Sequence, residues 1–487
     1  MAHRIRIPWG AALLLGLLTA AGPVLAFEIL GVQNAALDQP RVNAQLRRTP
    51  AGPPLTGADP IFGDPISNIQ AFLDTGASGV VLSQETTKLL GVRRTPDILF
   101  EDVGIGGTVP FRVSEPLFVD VGPFFLFPDP PGYNQQFGPL RTQIGPPVDP
   151  SNLFLGSIDV LGMPTMAGKV VVMDPKPLDT LSDFMHTYIY NPGTDFNPAA
   201  AESDPGIPPT NRTIDLSFGS FDRFTQLTPP GADGPTLREN PFIGPNPVAM
   251  LDPNLPANDT PGITLTLGGR QTTGSFLLDT GAAASVISKD LADDLNVRYR
   301  DNSLDPNLPP TLELFDPANP SADGTVLPNQ FRLTLSGLGG NLPAAGFFLD
   351  SMLVRTKEGD PLNDDDPAHL RYIGAPVLVA DISLEDPVTG DQLTLDGLFA
   401  MNLLVASIFF SEEPFAFGDF NPSPFNWVVF DANEGVLGLD VRGLAGTVSE
   451  PASLYLLLFA LVVARLRLWR SHVRGMGVAA TARKSAR

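Results

Sequence analysis

Ala71-Phe72-Leu73-Asp74-Thr75-Gly76-Ala77-Ser78-Gly79-Val80-Val81-Leu82-Ser83 in the first half of the chain is answered in the second by Ser275-Phe276-Leu277-Leu278-Asp279-Thr280-Gly281-Ala282-Ala283-Ala284-Ser285-Val286-Ile287-Ser288. Each segment runs an apolar strand into Asp-Thr-Gly, then returns to a β-branched run. That order predicts a buried strand, a tight turn carrying a carboxylate, and a second strand. A helical pattern follows each, over residues 84–90 and 289–295, ending in Leu90-Gly91-Val92 and Leu295-Asn296-Val297. The parallel continues downstream. Gly104-Ile105-Gly106-Gly107 is matched by Gly337-Leu338-Gly339-Gly340, and Asp159-Val160-Leu161-Gly162-Met163 by Asp396-Gly397-Leu398-Phe399-Ala400-Met401-Asn402. Four landmarks in one order, twice, read as an internal duplication.

Composition agrees with a β-rich body. The chain has 487 residues, of which 51 are Pro and 47 Gly, and only 17% are charged. This suits many short strands and turns better than long helices. The formal charge is −22. Nine positive charges lie in two ends that contain no acid, residues 1–26 and 451–487, so the remaining body carries about −31. A surface of that sign repels nucleic acid, which is excluded as a partner. There is no cysteine, and only His186 and His369 lie outside the terminal segments. Thiol chemistry and histidine-rich metal sites are therefore excluded, and no metal or cofactor is expected. Both histidines are expected on exposed loops. The run Asn363-Asp364-Asp365-Asp366 lacks the spacing of a calcium loop and is read as part of an acidic surface loop.

Two Asp-Thr-Gly turns brought face to face place two carboxyls within a few ångströms. Gly76 and Gly281 permit the close approach, and Thr75 and Thr280 supply hydroxyls to bond across the junction. Like charges that close share one proton. One carboxylate can then activate a water while the other carboxyl polarises a carbonyl, with no metal, thiol or imidazole.

Asp74-Thr75-Gly76-Ala77-Ser78 and Asp279-Thr280-Gly281-Ala282 resemble the active-site signature of the aspartic peptidases, closest to the retropepsin-like branch. The resemblance spans residues 60–442, with long insertions. It implies a bilobal fold of two homologous β-barrel-like lobes with the active site between them, and an endopeptidase acting on polypeptides. Asp74 and Asp279 would be catalytic, and Thr75, Gly76, Thr280 and Gly281 would support their loops. Gly104, Ile105, Gly106 and Gly107 would form a flap, and Leu161-Gly162 and Phe399-Ala400 would pack beneath the two loops, Ala400 departing from the family's glycine. The family's flap tyrosine has no counterpart, Phe100 and Phe111 being the nearest aromatics. Residues 427–431 and 435–439 resemble the closing strands of the pepsin fold. Both signatures lie in one chain, so a monomer suffices.

The expected layout is a signal peptide over 1–26, an N-terminal lobe over 27–235 including a linker region from about 191, a C-terminal lobe over 236–445, a sorting or transmembrane segment over 449–470, and a basic tail over 471–487. Arg4 and Arg6 before an apolar run and a small-residue site are the marks of export. Ser449-Glu450-Pro451, an apolar stretch and an arginine cluster resemble the PEP-CTERM sorting tail of Gram-negative bacteria, which implies exosortase processing. The alternative is an ordinary C-terminal membrane anchor. Either way the expected location is the cell envelope, outer surface or extracellular matrix. Two other functions fit the same residues: a catalytically silent surface-binding scaffold, and a narrow envelope-processing protease.

Overall fold

The computed structural model describes residues 26–442 apart from 59–62, 105–106, 125–131, 148–157, 201–203, 252–258, 302–307, 317, 320–323, 338–339 and 411–416. The expected leader, except for Ala26, and the whole of the expected sorting segment and basic tail lie outside these residues. Strand accounts for 47% of the structure and helix for 8%, so the fold class is mostly β. Among the described residues no helix is long and apolar enough to cross a membrane.

The duplication seen in the sequence reappears as strand order. In the first half, Asn68–Leu73 leads into the Asp74 turn and Val80–Leu82 leaves it, but these strands are not neighbours. Asp159–Leu161 lies between them, parallel to the first and antiparallel to the second. In the second half, Gly397–Ala400 is inserted in the same way between Phe276–Asp279 and Val286–Ile287. Outward from there, Gln143–Ile144 pairs with the hairpin strand Gly107–Ser114, and Pro376–Val379 with Gly340–Phe348. Each hairpin closes on a glycine pair, Gly104 with Gly107 and Gly337 with Gly340. The second inserted strand is apolar and buried along its length, while the first opens on Asp159, whose carboxylate accepts from Ser83 N–H at 2.7 Å and the Thr86 hydroxyl at 2.6 Å. Leu161, Phe399 and Ala400 are fully buried.

The helix that follows each Asp-Thr-Gly segment arises from local chemistry. Ser83 accepts a hydrogen bond from Thr86 N–H and caps Gln84–Leu89, while Ser288 does the same from Leu291 N–H for Lys289–Asp294. Each is followed by a left-handed residue, Gly91 at φ 64° and Asn296 at φ 62°. Glycine and asparagine are the residues that tolerate this conformation.

A third sheet draws strands from both halves in the order His186–Tyr190, Val170–Asp174, Phe425–Asp431, Val436–Val441, Arg212–Asp215. The last two strands of the described chain thus tie the halves together. Sheets also cross residue 235 in both directions. Phe27–Ile29 pairs with Leu370–Ile373, and Ala35–Ala36 with Ser407–Phe410. Ser217–Gly219 pairs with Asn240–Ile243, which joins the sheet of Asp279. The Pro-rich stretch after residue 191 thus carries four short strands, Arg212–Asp215, Ser217–Gly219, Gln226–Thr228 and Asn240–Ile243, among irregular segments.

Both body histidines are buried, contrary to the expectation of exposed loops. His186 opens the fully buried strand His186–Tyr190. His369 is wholly buried: Nδ1 accepts from Thr356 N–H at 3.1 Å, and Nε2 lies 3.0 Å from the Asp360 carbonyl. The ring fills the space over Gly359, where a Cβ would meet Cε1 at 2.1 Å. In the neighbouring acidic run, Asp364 and Asp365 are engaged by Arg355 and Arg371.

Candidate functional site

The two Asp-Thr-Gly turns meet. Thr75 N–H donates to Thr280 Oγ1 at 3.0 Å, and Thr280 N–H to Thr75 Oγ1 at 3.1 Å. Each hydroxyl donates onward across the junction, Thr280 to the Leu73 carbonyl at 2.8 Å and Thr75 to that of Leu278. Both threonines are buried, so four polar groups that would otherwise be stranded satisfy one another. The network is reciprocal, which fixes one turn against the other about an approximate two-fold axis.

That junction sets the carboxyls together. Gly76 N–H donates to Asp74 Oδ1 at 2.7 Å, while Gly281 and Ala282 N–H both donate to Asp279 Oδ1 at 2.9 Å. A Cβ at residue 281 would fall 2.3 Å from Asp74 Cγ, and one at residue 76 would fall 2.7 Å from Asp279 Cγ. Each glycine therefore lies directly against the opposite carboxyl, and no larger residue fits.

Surrounding protein raises both carboxyls above the usual carboxylate range through loss of solvation. For Asp74 this is opposed by a hydrogen bond from Asp279 and by the N–H groups of Gly76, Ala77 and Gly281. Asp279 is pushed further, because the negative charge of Asp74 adds to burial. Two carboxyls this close, both raised, titrate as one coupled pair in which sharing a single proton avoids two adjacent negative charges.

The inserted strands brace the turns. Asp74 N–H donates to the Leu161 carbonyl at 3.1 Å, and Met163 N–H to that of Ala77 at 2.9 Å. Met401 N–H bonds the Ala282 carbonyl likewise at 3.1 Å. A Cβ at Gly162 would stand 2.1 Å from the Gly79 carbonyl oxygen. In the second half Ala400 N–H instead meets Ser285 Oγ at 3.1 Å, and Ala400 is buried without such a clash.

Two supporting residues escaped sequence reasoning. Asn240 is fully buried, donates to the Thr75 carbonyl at 2.8 Å and accepts from the Ser78 hydroxyl at 2.5 Å. Gln39 Nε2 donates to the Gly281 carbonyl. Neither carries a local signal: Asn240 sits in a Pro-rich stretch, and Gln39 lies more than two hundred residues from its partner. Of the expected flap, Gly104 and Gly107 close the hairpin, while Ile105 and Gly106 lie outside the described residues. Phe100 and Phe111 pair across that hairpin and are buried within it. Val103 near its tip packs on the apolar cluster of the second half that includes Phe242 and Leu277. The hairpin thus reaches from one half to the other.

No known protein-family model matches the chain, and a search of curated proteins finds no significant match.

Proposed function

We propose that this chain is an aspartic endopeptidase of the bilobal type, in which each half forms one lobe and Asp74 and Asp279 together hydrolyse peptide bonds. The reading is carried by the reciprocal Thr75–Thr280 hydrogen bonds, which set the two Asp-Thr-Gly turns face to face. A purely structural pair of buried carboxyls would be costly without compensating chemistry.

In this reading Asp74, held ionised by its N–H donors, takes a proton from a water as its oxygen attacks the peptide carbonyl carbon. Asp279 passes its proton to the carbonyl oxygen, giving a geminal diol. Asp74 then delivers its proton to the leaving nitrogen, a diol hydroxyl returns one to Asp279, and the C–N bond breaks. The pair is restored to its starting state. The hairpin Arg94–Gly104 and Gly107–Ser114 is proposed as the flap that covers the substrate and excludes water. We further propose export to the cell envelope as a monomer, through the leader and the sorting tail.

A mixed peptide library incubated with the protein tests this. Cleavage abolished by Asp74→Asn and by a pepstatin-type transition-state mimic is expected. A folded protein that cuts no peptide would point to the binding scaffold instead.

A further inference from the structure

We infer that Asn240 and Gln39 are positioning residues that act on the carboxyl pair through one peptide group each, Asn240 on Asp74 and Gln39 on Asp279. This deepens the peptidase reading, and rests on it for the reaction that the pair performs.

The two residues hold equivalent places in the repeat. Each precedes a proline, Gln39-Pro40 and Asn240-Pro241, beside the strand that carries its own half's Asp. Arg41 lies opposite Phe72, and Leu73 N–H donates to the Pro40 carbonyl at 2.9 Å, so the same antiparallel register sets Gln39 level with Asp74. In the second half Phe242 lies opposite Leu277, which sets Asn240 level with Asp279. Each side chain then crosses to the other half. Asn240 Nδ2 donates to the Thr75 carbonyl at 2.8 Å, and Gln39 Nε2 to the Gly281 carbonyl. The backbone leading into each crosses likewise: Arg238 N–H donates to the Ser78 carbonyl at 2.9 Å, and Ala36 N–H to that of Ala283 at 2.7 Å. Ser78 and Ala283 are each the fourth residue after their Asp.

The Thr75 carbonyl shares a peptide group with Gly76 N–H, which donates to Asp74 Oδ1 at 2.7 Å. The Gly281 carbonyl shares one with Ala282 N–H, which donates to Asp279 Oδ1 at 2.9 Å. A donor at the oxygen of a planar peptide orients the group and polarises its N–H, which strengthens that N–H as a partner for a carboxylate. Both relays therefore favour negative charge on the pair and fix where each carboxyl stands. They are unequal. Asn240 is fully buried and also accepts from Ser78 Oγ at 2.5 Å, whereas Gln39 is partly exposed and Ala283 stands at the position equivalent to Ser78.

Asn240→Leu and Gln39→Met remove the donors at nearly constant shape. Carbon-13 titration of the aspartate carboxyls, assigned with Asp74→Asn and Asp279→Asn, should show the pair titrating about 0.5 unit or more higher in each variant. On a cleaved peptide kcat should fall roughly 10-fold with KM held within about 2-fold, and the acid limb of kcat/KM should move up with the carboxyls. Gln39→Met, at a partly exposed position, carries the test where Asn240→Leu does not fold. A lower melting temperature with the titration unmoved would make both residues merely structural and overturn their positioning role. Absence of cleavage by the unsubstituted protein would count against the peptidase reading alone, since the carboxyl titration is read without turnover.

Discussion

Replacing Thr280 by valine keeps its shape and removes the hydroxyl that links Thr75 N–H to the Leu73 carbonyl. Two buried groups are left unpaired, so stability should fall by about 1–3 kcal/mol in denaturant unfolding. Activity should fall further than stability, because the turn that positions Asp279 loses its partner. The carboxyls give a pH prediction whose sign is fixed by their direction of shift. Both are raised above the ordinary 3.8 by burial, so the folded protein binds protons more tightly than the unfolded chain. Their contribution to stability is full below the unfolded value and is lost as pH rises through the raised folded values. Asp279→Asn removes the more strongly raised group. Its melting temperature should therefore decline less than that of the unsubstituted protein between about pH 4 and pH 7. Parallel curves would show that the carboxyl is not the source of that slope.

At the scale of elements, the two inserted strands lead into their turns through different residues, Gly162 after Leu161 and Ala400 after Phe399. Gly162 lies against carbonyl oxygens of the Asp74 loop, and a methyl there would need the backbone to move. Gly162→Ala should cost about 3 kcal/mol or more. Ala400→Gly, which opens no clash, should cost about 1 kcal/mol. A pair of denaturant titrations separates them, and equal losses would deny that the loops are braced differently. These strands, the two short helices and the glycine-closed hairpins were legible because each is written in consecutive residues: apolar runs, the helical patterns over 84–90 and 289–295 with Gly91 and Asn296 behind them, and the paired glycines of each hairpin. His186 and His369 were misread for the opposite reason. Their burial depends on partners elsewhere in space, such as Thr356 N–H and the cover that Gly359 leaves room for.

For the whole molecule, the sheet that unites Val170–Asp174 with Phe425–Asp431 and Val436–Val441 means neither half closes its core alone. The N-terminal segment adds a second tie, through Phe27–Ile29 on Leu370–Ile373 and Gln39 on the Gly281 carbonyl. Deleting residues 27–39 should lower the melting temperature by more than about 5 °C and loosen the Asp279 turn first. Hydrogen exchange localised to residues 276–284 would check the second point. Long-range ties of this kind have no local pattern, which is why a boundary at 235 described the repeat in sequence while the strands cross it.

The most direct test of the shared-proton pair is the pH dependence of kcat/KM for one cleaved peptide. A bell is predicted, falling on the acid side as Asp74 gains a proton and on the alkaline side as Asp279 loses its own. Either Asp74→Asn or Asp279→Asn should remove the activity altogether. Cleavage that persists in the doubly substituted protein, or that rises steadily with pH, would contradict the assignment.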